Sequence, residues 1–125
     1  MVVRGIRGAI TVQEDNATEV LQATRELLKE IIEQNEVELQ DIASIIFTVT
    51  QDINSIFPAE AARSMGLNLV PLLCSLEIGV SGSLPLCIRV LIHINTNKNQ
   101  EEIKHVFMRN ASKLREDLKK LPIND

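Results

Sequence analysis

The stretch NATEVLQATRELLKEIIEQ, residues 16–34, decides the fold. Val20, Leu21, Ala23, Leu27, Leu28, Ile31 and Ile32 recur at helical spacing, while Arg25, Glu26, Lys29, Glu30 and Glu33 fall mostly on the other side. Asn16 followed three residues later by Glu19 resembles a capping box, with Asn in the place of Ser or Thr. The spacing predicts one helix over about 17–34 with a single apolar stripe, which needs a partner surface.

Strands on both sides supply that surface. Val2 to Val12 is β-branched and short of helix formers, with Val2, Arg4, Ile6, Ile10 and Val12 on one face and Val3, Arg7, Ala9 and Thr11 on the other. Downstream, Ile42 to Thr50 carries no charge and is rich in Ile, Val, Phe and Thr. The segment FPAEAARSMG (57–66) reads as a two-turn helix, with Pro58 suited to its first position and Gly66 to its end. Leu69 to Glu77 and Cys87 to Asn95 read as further strands, joined by a turn through IGVSGSLP. In the last of these, Ile88, Val90, Ile92 and Ile94 form the face that buries the long helix, and Cys87, Arg89, Leu91 and His93 form a mixed face. Ser44, Ile46, Thr48 and Thr50 make a similar mixed face, so a half-polar sheet surface has no helix left to cover it. This predicts a homo-oligomer. The stretch 99–120 admits two readings: a helical stripe through Ile103, Val106, Phe107, Ala111, Leu114 and Leu118, or a short strand near His105 to Met108.

Composition narrows the function. A chain of 125 residues with 45% apolar and 24% charged residues fits one globular domain, expected over 1–115, with a polar tail at 116–125 expected to be mobile. A net charge of -4 and three aromatics, all Phe, argue against a general nucleic-acid binder. No run of ~20 apolar residues is present to span a membrane, and the start MVVRGIRGAITV lacks the pattern of a signal peptide. A cytoplasmic protein is therefore expected, with Cys74 and Cys87 as free thiols. CxxC, HExxH, GxGxxG and the phosphate-binding GxxxxGK pattern are all missing, so no metal or cofactor site is expected. His93 and His105 lack a triad pattern, and His93 reads as structural. Arg7 and Arg89 are more informative, because a guanidinium within an apolar strand needs an anion. An internal salt bridge to Glu77 or a neighbouring acid would satisfy it, and so would a pocket for a small dicarboxylate gripped by planar forks of hydrogen bonds. Spacing alone leaves both readings open.

The blocks RGIRGAITV (4–12), FTVTQDINSIFPAEAAR (47–63), VPLLCSLEI (70–78), GSLPLCIRVLIHINT (82–96) and IKHVFMRNASKLR (103–115) together resemble chorismate mutase of the AroH type, in order and from Arg4 to about Arg115. The resemblance implies an α+β, ferredoxin-like fold: a five-stranded mixed sheet packed on the long helix plus the two-turn helix, with three chains forming a trimeric pseudo-α/β-barrel. It favours the short strand near His105 to Met108. The activity implied is the Claisen rearrangement of chorismate to prephenate in aromatic amino acid biosynthesis, at clefts between adjacent subunits and without a cofactor. Carried over by position, Arg89 resembles the arginine that donates to the breaking ether oxygen, and Arg7 the one that grips the side-chain carboxylate. Glu77 and Cys74 resemble the pair that binds the ring hydroxyl and offsets positive character in the ring. Leu73, Ser75 and Leu76 belong to the same segment along the cleft, Phe57, Ala59 and Arg63 wall its mouth, and Arg115 helps close it. Phe107 stands where the family usually has Tyr, so one hydrogen bond to a substrate carboxylate, worth about 1.5 to 3 kcal/mol, is expected to be lost. Two rival readings are an enamine/imine deaminase-like trimer and a non-catalytic trimer that binds small carboxylates.

Overall fold

In the computed structural model, which describes residues 1–114, helix α1 (Ala17–Gln34) has the expected length. Asn16 accepts a hydrogen bond from the Glu19 backbone N–H at 2.8 Å, as a capping residue should. The reciprocal half of the box differs. The Glu19 carboxylate accepts from the backbone N–H groups of Gln13 and Glu14, which come earlier in the chain and so tie the incoming strand to the helix start. The helix buries Val20, Ala23, Thr24, Leu27, Leu28 and Ile31. Each large aliphatic among them contributes roughly 1.5–3 kcal/mol relative to exposure.

Strands β1 (Val2–Thr11), β2 (Ile42–Val49), β3 (Leu72–Leu76), β4 (Cys87–Thr96) and β5 (Val106–Phe107) form one five-stranded sheet in the order β3-β2-β4-β1-β5. β4 is antiparallel to both β1 and β2, so these two run the same way with α1 crossing between them, a split βαβ unit. β3 adds in parallel to β2 and β5 in parallel to β1, which makes the sheet mixed, as expected. α1 lies against the face that carries Ile6, Ile10, Phe47, Ile88, Val90 and Ile92. Gly8 marks the closest approach: a Cβ there would sit 2.6 Å from Ile31 Cδ1 and 3.1 Å from Val90 Cγ1.

The two-turn helix is α2 (Ala59–Ser64), with Pro58 at its entry and Gly66 just past its end at φ 93°. β3 begins three residues later than expected. Pro71 has no N–H to give the ladder, and its carbonyl instead accepts from Ile45, so pairing starts after it. In the ambiguous region, the strand reading holds for Val106–Phe107, flanked by 3-10 turns at Gln100–Glu102 and Arg109–Ala111. Ile103, Val106, Phe107 and Ala111 are all buried without forming one helix. Asn35, buried just beyond α1, accepts from the Lys104 N–H and donates to the Lys104 carbonyl, which docks this segment beside β1. Among the described residues, no helix is long and apolar enough to cross a membrane. The tail expected at 116–125 lies outside the described residues.

Candidate active site

Register builds the site. Phe107 pairs with Ala9, Ala9 with Arg89, Arg89 with Thr48, and Thr48 with Ser75, so one row crosses all five strands. Cross-strand partners share a face. Their chain neighbours Val106, Gly8, Val90, Phe47 and Cys74 point the other way, toward α1. The outer row is the mixed face foreseen from the alternation of β2 and β4. A small second core of Ala9, Cys87, Phe107 and Ala111 covers part of it, with Leu84 and Leu114 packed on top.

Arg89 and Glu77 meet on this face. Glu77 follows β3, where its N–H donates to the Val49 carbonyl at 2.9 Å. Its Oε1 accepts from the Ile78 N–H at 3.1 Å and its Oε2 from the Thr48 hydroxyl at 3.1 Å. Arg89 Nε lies 3.3 Å from the same Oε2, with the two side chains 27% and 28% exposed. Yet this buried Nε has no hydrogen-bond partner among the described residues, because its N–H is not aligned on the oxygen. Proximity thus gives charge compensation without an aligned hydrogen bond from Nε.

Arg7 differs from Arg89. The ion pairs among the described residues join Arg63 to Glu60, Arg89 to Glu77, Lys98 to Glu36 and Arg109 to Glu26, and Arg7 is in none of them. Its guanidinium sits 5.6 Å from the centroid of the Phe107 ring, a cation–π distance. Its backbone N–H donates to His105 Nδ1 at 2.9 Å, which requires a neutral ring protonated on Nε2. Burial, and secondarily the charge of Arg7, lowers the His105 pKa below 6.5.

A second group lies elsewhere on the chain. Phe57, 68% exposed, lines an open groove of about 910 Å³ with Cys74, Ser75, Leu76 and Arg25, beside α2. Ala59 is buried beneath it, and Arg63 on α2 is paired to Glu60 at 2.8 Å. Leu73 is exposed on the outer face, in register with Ile46. Cys74 and Glu77, which the resemblance pairs, are therefore separated within one chain: Cys74 faces α1 and α2, near the Ala59 backbone. Burial pushes the thiols of Cys74 and Cys87 up, so neither is an activated nucleophile. Arg115 lies outside the described residues.

Thr48 and His105 complete the first group, and neither was singled out as a site residue from sequence. Alternation put Thr48 on the half-polar face, but only the β2–β3 pairing brings it to Glu77. The arrangement offers two guanidiniums, one carboxylate and an apolar groove. It offers no activated nucleophile, and among the described residues no group of His, Cys, Asp and Glu side chains could hold a metal ion. Such a set can bind a small polyanion and stabilise charge that develops within it.

Comparison with known proteins agrees. The family described as chorismate mutase type I matches residues 3–118. Chorismate mutase AroH of Thermus thermophilus is 52% identical over 118 residues, which cover 94% of this chain and 97% of that protein. Chorismate mutase AroH of Bacillus subtilis (strain 168) is 41% identical over 119 residues, covering 94% of each. A solved chorismate mutase from Clostridium thermocellum superposes with a TM-score of 0.86 at 50% identity, covering 87% of this chain and 97% of that one.

Proposed function

The chain belongs to the chorismate mutase type I family and is an isomerase of that kind, and on this premise we propose that it converts chorismate to prephenate with Arg89 as the central group. The observation that carries this reading is the state of Arg89: charge-compensated by Glu77 at 3.3 Å, partly exposed, and not hydrogen-bonded to it.

The rearrangement is unimolecular. One ether C–O bond breaks while one C–C bond forms, and no nucleophile, cofactor or proton shuttle enters the balance. Two aids remain for a protein. Holding the enolpyruvyl arm over the ring removes an entropic barrier, and orientation of this kind reaches about 7–11 kcal/mol in favourable cases. Donors aimed at the ether oxygen stabilise the negative charge it gains, at about 3–4 kcal/mol for a single well-placed donor. Arg89 supplies that donor and Arg7 grips a carboxylate. Glu77 receives the ring hydroxyl and offsets positive character in the ring fragment.

The chain presents these residues on its outer sheet face, while Phe57, Cys74 and Leu76 line a groove beside α2. Within one chain Cys74 and Glu77 point to opposite faces of the sheet. A homotrimer brings them together by setting the groove of one subunit against the outer face of the next, with Arg63, Leu73 and Ser75 along the cleft. Sedimentation should then give the mass of three 14.0 kDa chains, and a monomer would contradict the shared cleft. In the cell, the enzyme acts in the cytoplasm on the shikimate route to Phe and Tyr.

Incubation with chorismate, following loss of its absorbance and appearance of prephenate, tests the activity. Prephenate formation supports the reading. Binding of chorismate without product, or imine hydrolysis without chorismate consumption, would overturn it.

A further inference from the structure

Three hydroxyl side chains on the outer face of β2 and just past its end have different partners. Ser44 Oγ lies 3.0 Å from His93 Nδ1, at the far end of the sheet. Thr50 is taken by Asp52 and by the Cys87 N–H, which it accepts at 3.0 Å. Thr48, between them, is the one aimed at the site: its hydroxyl donates to Glu77 Oε2 at 3.1 Å. It is also the direct cross-strand partner of Arg89.

This geometry has a consequence for the guanidinium. An unrestrained carboxylate beside an arginine turns to accept two parallel N–H bonds from its fork. Glu77 is restrained at both oxygens, by the Ile78 N–H on Oε1 and by Thr48 on Oε2. The backbone bond fixes one oxygen by chain geometry, whereas the other rests on a single side-chain hydroxyl. With Oε2 so held, Arg89 Nε comes within 3.3 Å without an aligned hydrogen bond.

We propose that Thr48 is a positioning residue for the rearrangement: by holding Glu77 Oε2, it keeps the carboxylate from capturing the Arg89 fork and leaves that fork for the substrate. This rests on the roles given above to Arg89 and Glu77. Thr48 acts only through Glu77 and does not itself touch the substrate. Valine matches threonine in shape and suits a strand at least as well, so Thr48→Val removes the hydroxyl with little change in packing.

The test is a double-mutant cycle on the full-length protein, with thermal melts of every variant. Thr48→Val should lower kcat about ten- to a hundredfold with little change in KM, the scale of a lost hydrogen bond to a charged group. Thr48→Ser, which keeps the hydroxyl, should restore kcat to within about threefold. In a Glu77→Ala background, Thr48→Val should cost less than about twofold further, because nothing remains to be held. Wild-type kcat in Thr48→Val would overturn the proposal, as would an equal loss in both backgrounds or no rescue by Ser. Wild-type kcat in Glu77→Ala alone would instead overturn the role of Glu77, and the proposal with it.

Discussion

Arg89 Nε and Glu77 Oε2 stand 3.3 Å apart without a hydrogen bond between them. The pair is partly exposed, so water screens it and its contribution to stability is small, within about 1 kcal/mol. Its importance lies in poise. A guanidinium with a nearby counter-charge tolerates a half-buried strand, and one that is not locked into its acid can turn its donors to a ligand. Of the two readings left open by the sequence, the acid beside Arg89 is present, and Arg89 Nε makes no aligned hydrogen bond to it.

Glu77→Gln tests the charge in that pair. The amide oxygen still accepts from the Ile78 N–H, and the amide NH2 can donate to the Thr48 hydroxyl, so the fold should persist with little change in melting temperature. Loss of the negative charge opposite the ring fragment should lower kcat/KM about tenfold or more, at roughly 1.4 kcal/mol per factor of ten. Steady-state kinetics on chorismate would read this directly, and unchanged kinetics would remove Glu77 from the chemistry.

His105 gives the stability a pH dependence. Its folded pKa lies below 6.5, so the unfolded chain takes up a proton that the folded chain resists. The sign follows: the contribution is complete above about pH 6.5, and is lost as pH falls through the lowered folded value. Urea unfolding midpoints should fall from pH 7.5 toward pH 5, and His105→Asn should flatten that slope. An identical slope in the variant would assign the effect to other groups.

Much of this was legible in sequence because α1 has an uninterrupted apolar stripe and β4 alternates strictly. Both patterns are periodic, and burial against one partner surface enforces them. The start of β3 was not legible, since Leu69 and Val70 are good strand residues and only the missing N–H of Pro71 shows where pairing can begin. At β5, Val106 and Phe107 fit a helical stripe equally well, and the choice is made by Asn35 on Lys104, 69 residues apart in the chain. In the site, Arg7 and Arg89 stood out as charges within apolar strands, with Glu77 as a possible internal partner. Thr48 did not, because an alternating strand threonine is ordinary until its partner is known. The separation of Cys74 from Glu77 was also hidden, since a three-residue spacing crosses from one face of the sheet to the other at the end of β3.

Gly8→Ala tests the packing that sets the sheet on α1. The new methyl would meet Ile31 Cδ1 at 2.6 Å inside a fully buried cluster, where overpacking costs about 1–3 kcal/mol. The denaturation midpoint should fall accordingly. A variant as stable as the parent would show that Ile31 and Leu27 can shift freely.

Phe107→Tyr probes the residue beneath Arg7. The ring is 8% exposed and lies 5.6 Å from the guanidinium, so a hydroxyl there would stand beside the arginine proposed to grip a substrate carboxylate. KM should fall by more than kcat rises, with a hydrogen bond to a charged group setting a scale of about 1.5–3 kcal/mol. An unchanged or higher KM would show that the hydroxyl cannot reach the substrate.

The role of Arg89 is tested most directly by kcat for chorismate in Arg89→Lys. Lysine keeps the positive charge but loses the planar fork that meets an oxygen and a carboxylate together. This kcat should fall about a hundredfold or more, the range for loss of one preorganised donor, with melting temperature and subunit assembly intact. Turnover near that of the parent protein would contradict that role.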